Sequence, residues 1–245
     1  MIWISSGVFA SAQAHAPLVP LVIKPGSAEM KCAIVPYDNA WLWTVAFPDG
    51  TTNVQGIWSD HVELSAVVGK KVIRRVQGMS YVKGKTMQLM STIDPKTCAP
   101  LSTERHTIDG GVYMREFSES TITTHRTAAN GDHKATTIAA NSPVFAFNDG
   151  EDALLLASLP LQSGYEASIN SIDEMTASDN LRPIAIRVLK QAGMHDSRGT
   201  TATFVVETND GESTNRLWIS KRPPYYLRLE VSYPDNRYRF IFERI

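Results

Sequence analysis

Residues 148–169 read NDGEDALLLASLPLQSGYEASI and hold the one strong helix signal of the chain. Asn148 stands three positions before Glu151, the spacing of a capping box. Asp149, Glu151 and Asp152 put negative charge where a helix dipole is positive. Ala153, Leu154, Leu155, Leu156, Ala157 and Leu159 are good helix formers with an apolar surface that needs a cover. Pro160 stops the run, and Ser163-Gly164 turns the chain before Tyr165 opens an extended segment. One short apolar helix among strands is expected to plug or strap a curved sheet.

Outward from that helix the chain reads as strands. Trp41, Trp43, Val45 and Phe47 alternate with Leu42, Thr44 and Ala46, a period of two with aromatics on one face. The turn Pro48-Asp49-Gly50-Thr51 joins this run to 54–64 as a hairpin. Runs over 72–82, 86–93, 101–108, 112–119, 120–127 and 133–139 follow, with Lys83-Gly84-Lys85, Asp94-Pro95-Lys96-Thr97, Asp109-Gly110-Gly111 and Asn130-Gly131-Asp132 among the turns between them. This middle region is Thr-rich and alternates poorly, so its strands are expected to meet water on both sides. After the helix come 165–172, 184–189, 201–208 and 214–221. In the last two runs Tyr225, Leu227, Leu229, Val231 and Tyr233 share one face, and Tyr238, Phe240 and Phe242 share another.

Sequential hairpins mean an antiparallel meander, and about a dozen strands in one sheet must curl or close. The expected fold is mainly β: a highly curved antiparallel sheet, a half-barrel or β-clam, with one short helix on its concave side. The alternative is a two-layer β-sandwich. Residues 41–245 are expected to form this single domain, after an irregular lead-in over 17–40.

With 43% apolar and 20% charged residues and a formal net charge of −1, the chain has no overall field for nucleic acid or anionic lipid. Charge is uneven locally. Lys70, Lys71, Arg74, Arg75, Lys83 and Lys85 stand together without an acid: they are read as an anion or phosphate patch, or as a face that meets water or pairs loosely with the acidic helix region, and in a scaffold this face would meet a protein partner. Residues 1–16 resemble the end of an export signal. Residues 2–10 are apolar, Ala12-Gln13-Ala14 and Ala14-His15-Ala16 are small-x-small cleavage candidates, and the basic start is missing. The apolar run falls short of the roughly 20 residues of a spanning helix. Cys32 and Cys98 are the only cysteines. Bonded, they would close a loop worth roughly 4 kcal/mol in the chain-entropy model; the rival reading is two free thiols. Periplasmic or other export is the expected location.

Chemistry is harder to find. No G-x-S-x-G, Walker loop, G-x-G-x-x-G or H-E-x-x-H occurs. Ser80-Tyr81-Val82-Lys83 matches S-x-x-K, but on a strand residues three apart point to opposite faces. The six histidines are scattered, and adjacent residues such as His195-Asp196-Ser197 diverge rather than form a triad. No catalytic residue, cofactor or metal is expected, and a hydrolase with converged residues is the least favoured reading. The apolar wall has two readings: Trp41, Trp43, Tyr225, Leu227, Leu229, Tyr238, Phe240 and Phe242, closed by Leu155 and Leu159, either line a cavity for a lipid or acyl chain or meet as a dry core. An envelope-assembly scaffold is the alternative function.

Three stretches carry a family resemblance. Ile93-Asp94-Pro95-Lys96-Thr97-Cys98-Ala99-Pro100 resembles the D-P-x-T-L-x-P turn of an exported bacterial family, domain of unknown function 3108 (DUF3108). Leu159-Pro160-Leu161-Gln162-Ser163-Gly164-Tyr165 is similar to its helix-to-strand junction, and Leu217-Trp218-Ile219-Ser220-Lys221 with Tyr226-Leu227-Arg228-Leu229-Glu230 to its closing hairpin. The resemblance spans residues 40–244 and implies an exported fold like the lipoprotein-carrier (LolA-like) β-clam, with no catalytic residue to carry over. Cys98 stands where that family usually has an aliphatic residue, so a disulfide would be local to this chain.

Overall fold

The computed structural model describes residues 21–149, 151–172, 180–196, 198–235 and 237–245. The expected export segment, the first four lead-in residues, and the acids Asp173, Glu174 and Asp179 lie outside them.

The strands are β1 (Leu21–Ile23), β2 (Tyr37–Ala46), β3 (Thr52–Val67), β4 (Lys70–Tyr81), β5 (Thr86–Ile93), β6 (Pro100–His106), β7 (Val112–Phe117), β8 (Thr121–Thr127) and β9 (His133–Ala139). A 3-10 turn (Phe147–Asp149) and helix α1 (Asp152–Ser158) come next. Then follow β10 (Glu166–Ile172), β11 (Leu181–Asp196), β12 (Gly199–Asn209), β13 (Thr214–Ile219), β14 (Tyr226–Ser232) and β15 (Arg239–Arg244). All belong to one sheet, in the order β1-β10-β11-β12-β13-β14-β15-β2-β3-β4-β5-β6-β7-β8-β9. This is the single curved sheet of the first expectation and not the two-layer sandwich. Hairpin neighbours pair antiparallel because short turns leave no other choice. Gly110 and Gly131, each at φ +88°, supply the left-handed residue that two of these turns need.

The ring comes close to closing along β10. On the edge of β10 away from β11, β1 pairs in parallel, Leu21 opposite Ala167 and Ile23 opposite Ile169. Farther along, Phe145 takes Ser171 as a bridge partner, with Phe145 N bonding Asn170 O at 2.9 Å. Ile122 of β8 and Ile172 of β10 pack in one small cluster with Ala140 and Val144. The lead-in is therefore less irregular than expected: it contributes β1 and the first residues of β2.

Two local expectations change. Asn148 lies in the 3-10 turn, and Glu151 is the N-cap of α1 without a side-chain capping bond. Glu151 instead accepts the Ala146 N–H at 2.7 Å, so the capping box is replaced by a brace to the preceding chain. The middle strands β5 to β8 are not washed on both sides, whereas β9 has no buried residue. Ser91, Thr103, Arg115 and Thr124 stand opposite one another across β5, β6, β7 and β8, and all four are buried. That half of the interior is polar, which erased the alternation in the sequence.

Cys32 and Cys98 are bonded, with their Cα atoms 5.5 Å apart and a separation of 66 positions in sequence. The bridge ties the lead-in to the β5–β6 turn, where Asp94 accepts the N–H groups of Lys96 (2.7 Å) and Thr97 (3.0 Å). It lies directly under α1, with Leu154 in the same apolar cluster as Cys98 and Ile73.

Candidate functional site

Helix α1 covers an aromatic wall. Trp41 of β2 stacks on Tyr226 of β14 with ring centres 4.6 Å apart, and meets its cross-strand partner Trp58 at 5.3 Å. Trp58 meets Phe242 edge-on at 5.1 Å, and Trp43 stacks on Phe242 at 5.5 Å. Offset and edge-on pairs at these distances are worth about 0.5–1.5 kcal/mol beyond burial. Leu155, Leu156 and Leu159 close this cluster, which draws Ile169, Val206, Leu217 and Leu229 from the sheet around it. The space is filled. The gap beside the disulfide, between Ile34, Ile93, Leu154 and Leu155, is too narrow for a water molecule.

Each end of α1 is held by a basic side chain. At its start, Arg75 of β4 is fully buried and grips Asp60 of β3 through two bonds, Nε–Oδ1 at 2.8 Å and Nη2–Oδ2 at 2.7 Å. Its Nη1 reaches Asp152 of α1 at 2.9 Å. Tyr37 donates to the same Asp60 carboxylate at 2.7 Å. Burial works against the Arg75 charge, but Asp60, Tyr37 and Asp152 outweigh it and hold the guanidinium well above its ordinary pKa. Burial likewise pushes the phenols of Tyr37 and Tyr226 well up. At the other end Lys221 donates to the carbonyls of Ala157 (2.9 Å) and Leu159, where the helix dipole favours a cation.

Three donors of the wall are left over. Among the described residues, the buried Trp41 Nε1, Trp43 Nε1 and Tyr226 Oη have no hydrogen-bond partner, and Trp41 and Tyr226 are fully buried residues. A buried polar group without a partner costs about 1–3 kcal/mol.

Of the wall residues expected from sequence, Trp41, Trp43, Leu155, Leu159, Leu229, Phe240 and Phe242 come together here. Tyr225, Leu227 and Tyr238 do not. A bulge opposite Trp218 and Ile219 makes Leu227 the extra residue of β14. It therefore drops out of phase, joins neither apolar cluster, and faces a cleft beside Thr203 and Phe204. Tyr226 takes its place in the wall. Tyr225 packs on Tyr37 at 5.6 Å in the neighbouring cluster and accepts the Val35 N–H. Tyr238 sits on the exposed rim against Tyr233 and Phe240. Trp58, Phe145 and Phe147 were not foreseen as wall residues. Trp41 and Trp58 stand nearly symmetric about the Pro48-Asp49-Gly50 turn, a signal that could have found the first.

The basic stretch is not one face either: Arg74 is exposed and Arg75 is at the heart of the interior. Ser80 is the next-to-last residue of β4 while Lys83 lies in the following turn, so S-x-x-K gathers nothing. His61 bonds Asp38 at 2.6 Å on the exterior, and that bond raises its pKa. His125 and His133 stack at 5.7 Å without a carboxylate on either ring among the described residues. No cluster of metal-binding side chains occurs among the described residues, and no described helix is long and apolar enough to cross a membrane.

These features define a β-barrel-like protein: one curved antiparallel sheet wrapped on an aromatic core, with a single helix laid across it. The chain belongs to the family Protein of unknown function (DUF3108), whose model matches residues 44–240. Its fold is similar to that of a crystallised β-barrel-like protein of domain of unknown function DUF1849 from Brucella abortus. The TM-score is 0.53 at 9% identity, covering 86% of this chain and 96% of that one. No curated protein matches the sequence.

Proposed function

We propose that this is an exported, non-catalytic protein that binds a lipid or other acyl chain on the face of the curved sheet that α1 covers. The observation that carries the reading is the set of unsatisfied donors, Trp41 Nε1, Trp43 Nε1 and Tyr226 Oη, inside the aromatic wall. An ester or amide carbonyl at the head of an acyl chain supplies the acceptor that hydrocarbon alone lacks. Because the space is filled, the ligand must take the place of α1. Export is supported by the bridge between Cys32 and Cys98, since disulfides persist in oxidising compartments.

The exchange has a size requirement. Returning Leu154, Leu155, Leu156 and Leu159 to water costs roughly 1.5–3 kcal/mol each, and each buried methylene returns about 0.8 kcal/mol. A chain of about 8 to 15 methylenes therefore balances the displaced helix. Mass spectrometry of an organic extract of the purified protein is expected to find acyl lipids. A fluorescent long-chain fatty acid ester is expected to bind, a hexanoyl analogue not to, and Tyr226→Phe to weaken binding without unfolding. Repeatedly empty extracts together with no probe binding sink the reading. Fractionation tests export separately, with the protein expected outside the cytoplasm and its cysteines shielded from alkylation until reduced.

A further inference from the structure

A second site lies away from the wall, where two strands that begin side by side part company. Strands β12 and β13 pair from Asn209 opposite Thr214 to Phe204 opposite Ile219, and there the pairing ends. Strand β12 goes on with β11 alone, Thr203 opposite Ala192 through to Gly199 opposite Asp196, as a two-stranded arm. The chain leaving β13 turns back at once, with Ser220 N bonding Tyr225 O at 2.7 Å. Residues 199–203 thus have a strand partner on one side only. Where β13 would have continued there is a cleft of about 940 Å³ between the arm and residues 220–224.

The cleft has a sign. Lys221, Arg222 and Arg244 line it, and no carboxylate does so among the described residues. Arg244 is the most telling of the three. Its side chain is 7% exposed, one end of its guanidinium is latched to Asp196 at the arm's tip, and its Nε–H has no hydrogen-bond partner. The floor is apolar, with Phe204 and Leu227. The bulge that expelled Leu227 from the wall is what turns it to this cleft.

We propose that the cleft is a docking site for an extended, acidic segment of a partner protein, added as a strand along residues 199–203. An unpaired strand edge offers its backbone groups to another chain, and pockets beside it select alternate side chains. Here acidic side chains meet Arg222 and Arg244 while apolar ones between them meet Phe204 and Leu227. The cleft adjoins the end of α1, because Lys221 lines it and also holds the carbonyls of Ala157 and Leu159.

The test uses the full protein and three labelled eight-residue peptides: alternating Glu-Val, alternating Lys-Val, and Glu-Val with a central Pro. The Glu-Val peptide is expected to bind in fluorescence anisotropy, more weakly at high salt, and to slow amide exchange over 199–203. The Lys-Val and Pro-containing peptides are expected to fail. Arg222→Glu, at an exposed position, is expected to lower affinity at least tenfold, Arg244→Gln likewise, and Lys70→Glu on another face to leave it unchanged. The proposal is overturned if the Glu-Val peptide does not bind. It is equally overturned if binding leaves the 199–203 amides unprotected, or if inorganic phosphate competes as well as the peptide, which would make this a small-anion site only.

Discussion

Arg75 sits in an interior it shares with Trp58, Tyr37 and Tyr226, and it is tolerable there because Asp60 accepts from its Nε and Nη2 and Asp152 from its Nη1. Gln77, with its amide turned to accept from Trp58 Nε1 and Arg75 Nη2 at 3.2 Å each, completes the polar island. Removing one member of such a buried pair leaves the other charge without compensation, which costs about 3–5 kcal/mol. Arg75→Met is expected to lose that much in urea denaturation, and Asp60→Leu added to it to recover most of the loss. A loss below about 1 kcal/mol, the size of an exposed pair, would mean that water reaches the cluster. Nothing in residues 70–85 read alone distinguishes Arg74 from Arg75. One faces water and the other two carboxylates, and the difference is set by Asp60 and Asp152, far off in sequence.

Strand β3 shows how much an element can depend on a missing side chain. Register shifts between Trp43 and Thr44, so Trp43 faces Gly56, Thr44 faces Val54, and Gln55 is the extra residue. Beside that bulge Gly56 lies hard against β4: a Cβ there would overlap the Ser80 carbonyl oxygen and stand 2.9 Å from its carbon. Gly78, on β4, would meet only the Ser59 hydroxyl at 2.9 Å, which can rotate away. Gly56→Ala is therefore expected to cost about 1–3 kcal/mol, the range for overpacking, and Gly78→Ala clearly less. Thermal melts of the two variants decide it; equal losses would remove the close approach as the cause. Runs of alternating residues announced most of the strands, because period two needs no knowledge of the partner. The bulges at Gln55 and Leu227 were invisible for the same reason, since a bulge belongs to a pair of strands. Helix α1 was legible from its leucines, but its start was not, because Glu151 bonds Ala146 instead of the helix.

For the whole molecule, the disulfide and the ring are linked. The bridge holds the lead-in beneath α1, and opening its 66-residue loop releases roughly 4 kcal/mol of chain entropy to the unfolded state. Cys32→Ser with Cys98→Ser, or reduction, is expected to lower stability by about that amount and to leave the wall rings in place. An unchanged urea midpoint would mean the bridge is ornamental. The polar half of the interior, with Ser91, Thr103, Arg115 and Thr124, escaped the sequence because threonine and arginine at alternate positions look like solvent-facing strands. Strand β1 has a consequence for how the protein comes into being. It emerges before every other described strand, yet its partner among the described residues, β10, begins at Glu166. Until the ribosome has delivered that stretch, Ile23 has no berth, so the growing polypeptide carries this strand unmated through most of its synthesis.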